Sequence, residues 1–297
     1  MHDFLELGEF TGDGLRAMLD AATAVKQGTL AQDAPLAGRT ILTIFPEASM
    51  RTRVTFEAGA KRLGATHVWL PPAILERSEP LADVAGYLDC WVELAVIRYP
   101  RLGALRELAG HMAAPVVNAM TGENHPCEIM ADLLTLREDW GDLESLQLVF
   151  IGPRGNVANS WVAAAAVMRL SLTQICPPGY EVDARRFALA GPAALGRIAV
   201  TSDLASGVAG ADAILTDCWP AGDFDAVREA FLPYQVTSRL MELTGKPAAR
   251  LYPCPPVTRG REVSAEVMNS RYFAGYGAKA NLLPVQQAIL LSCLGLV

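Results

Sequence analysis

The sequence predicts an α/β protein with two doubly wound domains, each built on a parallel sheet. Short apolar runs alternate with stretches of helical spacing along the whole chain, which is typical of parallel strands covered by helices on both faces. The chain has 297 residues, which exceeds one typical domain of roughly 150. Hydrophobic residues make up 51% of the chain and charged residues 19%, so two large cores can be filled.

Apolar runs of four to six residues are predicted to be strands, and segments with apolar residues three or four apart are predicted to be helices. The predicted strands are 40–45, 66–70, 93–98, 115–118, 146–151, 173–176, 198–201, 212–216 and 249–252. The predicted helices are 13–26, 50–63, 80–88, 103–112, 126–139, 157–169, 225–231, 237–243 and 278–294. No short period and no low-complexity stretch suggests another architecture.

The best candidate for a domain boundary follows the predicted helix 126–139. That helix ends at a turn-forming segment, Asp-Trp-Gly-Asp at 139–142, and a new strand starts at Leu146. We therefore place the first domain at 1–135 and the second at 145–275. Ligands of open parallel sheets bind beyond the carboxyl ends of strands, and Ser49 and the segment 152–156 lie at such ends, one in each domain.

Composition excludes several classes of function. The net charge of −7 leaves no basic surplus, so we expect no nucleic-acid partner. The N-terminus lacks the basic and apolar regions of a signal peptide, and no apolar run reaches eighteen residues, so no membrane association is expected. The 6 cysteines show no CxxC spacing and the 4 histidines no ligand pairing. This favours reduced thiols in a cytoplasmic protein and predicts neither a metal site nor a cofactor.

The segment 49–53, Ser-Met-Arg-Thr-Arg, is the strongest functional signal of the chain. It follows the predicted strand 40–45 and opens the helix 50–63, where unpaired amides and the positive end of the helix dipole favour an anion. Arginine adds the bidentate, charge-assisted hydrogen bonds that suit a phosphate. Arg51 and Arg53 point to different sides of the helix, so we expect only Arg51 to contact the ligand. A solvated run of charge is the other interpretation, which the interleaved hydroxyls disfavour.

Three further polar residues follow or end predicted strands. Arg98 ends the strand 93–98, where an unpaired charge would be costly to bury, although a surface arginine just past the strand fits equally well. His125 precedes Pro126, which suits the first turn of a helix, so His125 would lie near the N-cap. Taken alone, a capping histidine is the commoner case. Glu128 is three residues further on and shares a helical face with His125.

Together these motifs resemble those of the aspartate and ornithine carbamoyltransferases. The segment 49–53, Ile-Arg at 97–98 and His-Pro-Cys at 125–127 come in the order and spacing of that family. The resemblance continues almost to the C-terminus, and its further motifs are Gly-Asn-Val-Ala-Asn-Ser at 155–160, Thr-Asp-Cys-Trp at 216–219 and Arg-Gly-x-Glu-Val at 259–263. The sequence is more similar to the ornithine branch, with a divergent acceptor site.

The resemblance implies a fold, a reaction and an assembly. The first domain would bind carbamoyl phosphate and the second an amine acceptor, with the C-terminal helix, 278–297, packing back on the first domain. The enzyme would move a carbamoyl group to the amine of an ornithine-like or other amino-acid or amine acceptor and release phosphate. It would be a homotrimer with active sites shared between neighbours. A basic residue of an adjacent subunit would complete the phosphate site, and Arg77 occupies or neighbours that place.

The roles of the donor residues follow from the matched positions. The residues expected to hold the phosphate are Ser49, the Met50 amide, Arg51 and Thr52. Arg98 would bridge the phosphate and carbamoyl groups. His125 would hydrogen-bond the carbamoyl oxygen, where negative charge grows as the amine attacks. Arg51, Arg98 and His125 are therefore expected to be catalytic, together with Glu128 and Cys254, whose positions are described below.

The second domain distinguishes the two branches of the family. Aspartate-type enzymes place an arginine at the position of Asp217, and a carboxylate there repels dicarboxylates and favours an ammonium group. An N-cap or turn residue is the other interpretation of Asp217. Asn156 matches the residue that contacts the backbone of the amino-acid substrate in the ornithine branch. Cys254 matches a cysteine near the reacting amine, and Pro255 beside it is assigned to the same substrate site.

The chain departs from the family around the carbamoyl group and the acceptor. Glu128 stands where the family usually has Gln. It could accept from the carbamoyl NH₂, pair with a cationic acceptor or act as a base for the attacking amine. Pro-Ala-Gly at 220–222 and Pro-Cys-Pro-Pro at 253–256 replace the Ser-Met-Gly and His-Cys-Leu-Pro of the ornithine branch, and Leu282 replaces an arginine. The acceptor is therefore expected to be an amine other than aspartate, and these departures leave both ornithine and another amine open.

Two other functions stay open from the sequence alone. A non-catalytic carbamoyltransferase-like protein with a ligand-binding or regulatory role would also account for Glu128 and Leu282. A nicotinamide enzyme is suggested by Gly152-x-x-Gly155 between a strand and a helix. The full Gly-x-Gly-x-x-Gly is missing, however, and no acidic residue ends the next strand, 173–176.

Overall fold

The computed structural model describes residues 2–76, 78–189, 196–220, 222 and 224–297. The chain forms two compact units, the first made of Met1–Thr135 with Lys279–Val297 and the second of Leu136–Ala278. Each unit contains one sheet in which all neighbouring strands are parallel, which confirms the predicted α/β fold. Arg77, expected to serve the phosphate site, and Ala221 of the altered loop lie outside the described residues.

The sheet of the first unit has the strand order β2-β1-β3-β4. These strands are β1 (Thr40–Ile44), β2 (Thr66–Leu70), β3 (Leu94–Arg98) and β4 (Val116–Met120). The residues of β1, β3 and β4 are almost all buried, as parallel strands covered on both faces require, whereas β2 at the edge is partly exposed. Phe4 pairs with Val117 in parallel, so the N-terminal segment adds backbone hydrogen bonds to β4.

The sheet of the second unit has the strand order β7-β6-β5-β8-β9. These strands are β5 (Gln147–Ile151), β6 (Ser171–Ile175), β7 (Ile198–Thr201), β8 (Ala213–Thr216) and β9 (Arg250–Pro253). One core cluster lies against this sheet and joins Ile151, Ile175, Ile214 and Leu251 with Met241 of the helical layer. The aliphatic strand residues that predicted the sheet therefore also fill its core.

Helices connect the strands in both units. The α-helices of the described residues are α1 (Gly12–Lys26), α2 (Arg51–Arg62), α3 (Leu81–Leu88), α4 (Leu102–His111), α5 (Pro126–Trp140), α6 (Asn156–Met168), α7 (Ala184–Leu189), α8 (Leu204–Val208), α9 (Phe224–Phe231), α10 (Ser238–Glu242) and α11 (Leu282–Cys293). The helices α7 and α8 were not predicted. They are too short for a clear period of apolar residues, and α8 depends on Asp203, whose carboxylate accepts from the amides of Ala205 and Ser206.

The C-terminal helix belongs to the first unit, as the resemblance implied. Every residue of α11 from Leu282 to Cys293 except Leu283 is buried, as expected for a helix that is apolar on all sides. It approaches α2 closely, because Nε2 of Gln287 donates to the carbonyl of Gly59 across 3.3 Å. A Cβ at Gly59 would lie 3.1 Å from Cγ of Gln287. The packing of α11 therefore supports the helix that opens with the segment 49–53.

Several predicted element boundaries are wrong by one to four residues, and polar residues explain two of these errors. The strand β4 continues to Met120, past the predicted end at 118, because the side chain of Asn118 is hydrogen-bonded inside the unit. The last helix was predicted from 278. The chain instead forms a 3-10 turn at Tyr276–Asn281, and the α-helix begins at Leu282. This turn carries Lys279, which is important for the site described below.

Neither a membrane-spanning helix nor a group of metal ligands occurs among the residues that the structure describes. Among their helices, none has the length and apolar content that a membrane span requires. The same residues contain no group of three His, Cys, Asp or Glu side chains placed to hold a metal ion.

Candidate active site

In the first unit, the predicted donor residues follow the carboxyl ends of three neighbouring strands. Ser49 follows β1, Arg98 ends β3 and His125 follows β4. Nη1 of Arg98 donates to Oγ of Ser49 across 3.1 Å, which joins two of these strand ends directly. The structure therefore brings together side chains that are 49 positions apart in sequence.

The segment 49–53 opens α2, as predicted. The helix begins at Arg51, so the amides of its first turn have no acceptor within the helix and form an anion-binding end. The side chains of Ser49 and Thr52 are buried at this end. The Met50 side chain is 63% exposed, so the expected contribution of this residue is limited to its amide.

The two arginines of the segment have different surroundings, as expected. Nε of Arg53 lies 2.6 Å from Oε1 of Glu57, and its guanidinium stacks over the Trp69 ring at 4.2 Å. Arg51 instead acts electrostatically on Arg98 and on Glu128. Only Arg51 is therefore directed toward the other donor residues.

Arg98 is half-buried and keeps its charge beside another arginine. Burial lowers the pKa of Arg98, Arg51 lowers it further, and Glu128 raises it in part. The pKa of arginine is high enough that the guanidinium remains protonated. This disfavours the interpretation of Arg98 as an ordinary surface arginine, because its partly desolvated guanidinium donates to a buried hydroxyl.

A buried hydrogen-bond network holds the loop that carries His125. Oδ1 of Asn124 accepts from Nδ2 of Asn118 at 2.6 Å and from Oγ1 of Thr121 at 2.7 Å. Nδ2 of Asn124 donates to the carbonyl of Leu5 at 3.1 Å. The sequence did not reveal these roles, although an asparagine inside an apolar strand followed by Thr-x-x-Asn is a signal that could have done so. The network fixes the backbone next to His125.

His125 is buried at the start of α5, and its carbonyl accepts from the amide of Ile129. Burial lowers the pKa of His125 to about 4, an effect that Glu128 opposes and that Arg98 and Lys279 reinforce. The imidazole is therefore neutral near pH 7. A neutral imidazole can donate one N–H to an oxygen on which negative charge develops.

Glu128 lies in an ion pair that the sequence did not predict. Nζ of Lys279 lies 2.7 Å from Oε1 of Glu128 and 2.5 Å from Oδ1 of Asp132. Burial alone would raise the pKa of Glu128, but Lys279 and His125 outweigh it and the pKa is lowered. Burial raises the pKa of Asp132 to about 6, with Lys279 opposing and Glu128 reinforcing this shift. Glu128 is therefore the more acidic member of the pair, and Asp132 is the one that takes up a proton first as the pH falls.

In the second unit, the predicted acceptor residues also follow neighbouring strand ends. Gly152 follows β5, Asp217 follows β8 and Cys254 follows β9, and the amide of Cys254 donates to the carbonyl of Thr216 at 2.7 Å. A Cβ at Gly152 would lie 3.1 Å from the ring of Phe150 and 3.8 Å from the amide nitrogen of Asp217. Gly152 therefore leaves space for the ring of Phe150, whereas a Cβ would make only ordinary van der Waals contact with Asp217.

The remaining acceptor residues occupy the same end of the sheet. Asn156 is the first residue of α6, where its Oδ1 accepts from the amide of Val157 at 2.9 Å. Cys254 is buried, and Pro255 follows it at the end of β9. Asp217 is partly buried and follows β8 without beginning a helix, so the N-cap interpretation is wrong.

Glu262 explains why the motif at 259–263 accompanies the motif at 216–219. Its buried carboxylate accepts from the amide of Trp219 through Oε1 at 3.0 Å and from the amide of Thr258 through Oε2 at 2.7 Å. One side chain thus connects the segment after Asp217 with the loop after Cys254. The sequence contained both motifs, but their connection required the structure.

Comparisons with known proteins agree with this geometry in both units. The model of the aspartate/ornithine carbamoyltransferase carbamoyl-P binding domain matches residues 2–138, and that of the Asp/Orn binding domain matches residues 144–293. The chain belongs to the aspartate/ornithine carbamoyltransferase family. The family resemblance inferred from the motifs is therefore confirmed.

Individual carbamoyltransferases support the same assignment. The ornithine carbamoyltransferase of Methanothermobacter thermautotrophicus is 37% identical over 287 residues, which cover 94% of each chain. The chloroplastic enzyme of that name from Pisum sativum is 34% identical over 304 residues, which cover 99% of this chain and 81% of the plant protein. The solved structure of the ornithine carbamoyltransferase from Pyrococcus furiosus is similar to this one with a TM-score of 0.94 and 29% sequence identity. The match covers 100% of this chain and 98% of the archaeal chain.

Family membership makes the protein an enzyme of the carbamoyltransferase class. The comparisons give no support to the non-catalytic alternative, and they remove the reason to interpret Gly152-x-x-Gly155 as a nicotinamide site. Leu282, which stands where the ornithine branch has an arginine, is buried in the core as the first residue of α11. Lys279, three residues earlier, supplies a cation near this position from within the 3-10 turn Tyr276–Asn281.

Proposed function

We propose that the protein transfers the carbamoyl group of carbamoyl phosphate to the side-chain amine of ornithine and releases phosphate. The observation that carries this proposal is the contact between Arg98 and Ser49 at the start of α2. It places a partly desolvated guanidinium, a hydroxyl and helix amides at one strand-end cluster, which is suited to an acyl phosphate whose phosphate group must leave as an anion.

The chemistry follows from these groups. The neutral amine attacks the carbamoyl carbon, and the carbonyl oxygen gains negative charge that the N–H of His125 can stabilise. The bond between the carbamoyl carbon and the bridging oxygen then breaks, and phosphate leaves toward Arg51, Arg98 and the amides at the start of α2. The acceptor's ammonium must lose one proton before it can attack, so we expect the rate to rise with pH until the amine is unprotonated. After the attack the nitrogen releases a second proton to solvent, which gives the neutral ureido product.

Ornithine is favoured as the acceptor by the second unit. The relatives matched above are named ornithine carbamoyltransferases. Asp217 offers a carboxylate that suits an ammonium group and repels the second carboxylate of aspartate. Asn156 and Cys254 follow strand ends of the same sheet, next to that carboxylate in the order of the strands. Because residues 220–222 and 253–256 differ from those of the ornithine branch, related diamines and diamino acids are included in the test of the acceptor.

A panel of amines tests this function directly. Purified protein is supplied with carbamoyl phosphate and, in turn, with L-ornithine, L-lysine, putrescine, N-acetylornithine and L-aspartate. Formation of the ureido product is measured by mass spectrometry alongside phosphate release. We expect ornithine to give the highest kcat/KM and aspartate no product. A different amine at the top of the series would contradict the proposed acceptor, and no product from any amine would contradict the transfer reaction itself.

We also propose that the protein is a homotrimer in which Arg77 of a neighbouring subunit completes the phosphate site. Exposed apolar side chains of the first unit support association. Tyr87 and Trp91 are 58% and 65% exposed and stack on each other, and Met50 and Val54 are exposed one turn apart on α2. Surfaces of this kind commonly mark interfaces between proteins.

Subunit mixing tests the shared site. Arg51→Ala and Arg77→Ala are each expected to be nearly inactive, whereas a mixture reassembled from both should regain activity, because some sites then receive both arginines. Light scattering gives the mass of the assembly. A monomer, or a mixture with no more activity than its components, would contradict the shared site without affecting the proposed reaction.

A further inference from the structure

The ion pair between Lys279 and Glu128 has a consequence for the donor site. Glu128 is 5% exposed and lies on α5 three residues after His125. The charged and titratable groups around it are His125 and Asp132 on α5, Arg51 on α2, Arg98 on β3, and Lys279. A carboxylate in this position would repel a phosphate dianion unless its charge were compensated nearby.

Lys279 is held in place by its own turn. Within the 3-10 turn Tyr276–Asn281, Asn281 accepts from Nζ of Lys26 at 2.8 Å and donates to Oγ1 of Thr135 at 3.0 Å. These contacts fix the turn to α1 and α5. The ammonium of Lys279 consequently reaches both acidic side chains of α5 from a fixed backbone, with 17% of its side chain exposed.

We propose that Lys279 is a positioning residue of the donor site, which neutralises Glu128, holds its Oε1 and leaves Oε2 to accept a hydrogen bond from the carbamoyl NH₂. This inference rests on the proposed carbamoyl phosphate site. Because Glu128 is salt-bridged, it is a weak base, and so it orients the carbamoyl group and does not deprotonate the amine. Asp132 is the member of the acidic pair that protonates first as the pH falls, so Glu128 keeps its charge over the pH range tested below.

The role of Lys279 makes a specific prediction about binding. Without the ammonium, Glu128 would become an uncompensated carboxylate near the phosphate as the pH rises. Lys279→Met should therefore bind carbamoyl phosphate and inorganic phosphate progressively more weakly than the wild type between pH 6 and 9, by about tenfold or more at the upper end. Lys279→Arg keeps the charge and should recover most of the affinity.

A second substitution separates this role from a structural one. In Lys279→Met/Glu128→Gln the charge that needs compensation is gone, so binding should return to within about threefold of Glu128→Gln alone. The matched control is Lys246→Met, which removes a lysine 2.6 Å from Asp212 in the second unit and should bind phosphate like the wild type.

Isothermal titration calorimetry with carbamoyl phosphate and with inorganic phosphate measures these affinities. Each variant is compared with the wild type at the same pH, which cancels the titration of the ligand. Circular dichroism confirms folding. A pH-independent affinity ratio for Lys279→Met, or failure of Glu128→Gln to restore binding, would overturn the proposal.

Lys279→Met alone is the variant most at risk of not folding. In that case Glu128→Gln is compared with the double variant, and equal binding is expected. A tenfold loss on removing the lysine from the Glu128→Gln background would show that Lys279 contacts the anion itself, which also contradicts the proposal. None of these measurements uses an amine, so failure of ornithine to accept the carbamoyl group leaves them unaffected.

Discussion

The guanidinium of Arg98 and the hydroxyl of Ser49 are 3.1 Å apart, and this contact joins the end of β3 to the residue just before the N-cap of α2. It gives the donor site two donors of different kinds, a delocalised cation and a hydroxyl, at the positive end of a helix. A guanidinium can engage Ser49 and a phosphate oxygen at the same time, because its N–H groups point in fixed, separate directions.

This geometry predicts that lysine cannot replace Arg98. In Arg98→Lys the charge is kept but the fork of donors is lost, so we expect kcat/KM for carbamoyl phosphate to fall by about 10² or more. Steady-state kinetics at saturating ornithine measures it. Arg101→Lys, three residues later and exposed, is the matched control and should stay near the wild-type value. Similar kinetics in both variants would argue against Arg98 as the bridging cation.

The two arginines of the segment 49–53 should differ sharply. Arg51→Ala removes a cation directed toward the donor residues, and we expect turnover to fall by about 10²–10³. Arg53→Ala removes a partner of Glu57 and Trp69 instead, so its kcat should stay within about threefold of the wild type. Turnover of each variant is measured under saturating substrates. An equal loss of turnover in the two variants would contradict the different roles of Arg51 and Arg53.

The sequence was sufficient for the architecture, and it named the polar residues that gather at the strand ends of the first unit. Continuous apolar strands identify parallel sheets, and the segment 49–53 predicts an anion site because its local geometry depends on few residues. The predicted strand stopped at Asn118 and missed the rest of β4, because the polar partner that satisfies this side chain, Asn124, belongs to the following loop. Arg98 stayed ambiguous for a similar reason, since only the structure shows that it donates to Ser49.

Contacts between distant segments were the main omission. Lys279 and Glu128 are far apart in sequence, and no local pattern indicates that a 3-10 turn would direct this lysine at α5. The same is true of Glu262, whose two hydrogen bonds connect separate loops. In the sequence, Glu128 is visible only as a departure from the family pattern and Glu262 only as part of a motif. The structure shows why each is there, because their partners come from distant segments.

His125 should make folding sensitive to acid. Its pKa in the folded protein is about 4, below the ordinary value of 6.5, so the unfolded chain binds the proton more tightly. The contribution of the neutral His125 to the stability of the folded state is complete above pH 6.5 and is lost as the pH falls toward 4. Between pH 7.5 and 5 the wild type should lose about 2 kcal/mol more unfolding free energy than His125→Gln.

Urea denaturation of both proteins at the two pH values measures this difference. Asp132, whose pKa is raised to about 6, changes stability in the opposite sense, but it is present in both proteins and its contribution cancels in the comparison. His111→Gln replaces an exposed histidine at the end of α4 and controls for the loss of a histidine as such. Equal acid sensitivity of wild type and His125→Gln would show that the imidazole is not buried in its neutral form.

Replacing Glu262 should weaken the binding of the acceptor, ornithine, and leave the binding of the donor, carbamoyl phosphate, unchanged. Its carboxylate accepts two backbone amides, from Trp219 and Thr258, whereas the amide of Glu262→Gln can accept only one of them and turns an N–H toward the other. We expect a loss of about 1–3 kcal/mol in unfolding free energy, because a buried donor is left unsatisfied. The segment after Asp217 should also loosen, which raises KM for ornithine several-fold.

The measurement that distinguishes this role is the comparison of the two substrates. KM for carbamoyl phosphate should be unchanged in Glu262→Gln, because the donor residues described here all belong to the first unit. Glu266→Gln, four residues later and exposed, is the matched control for both stability and kinetics. If KM for carbamoyl phosphate rose as much as KM for ornithine, the effect would be a general loss of structure, and Glu262 would have no specific connection with the acceptor residues.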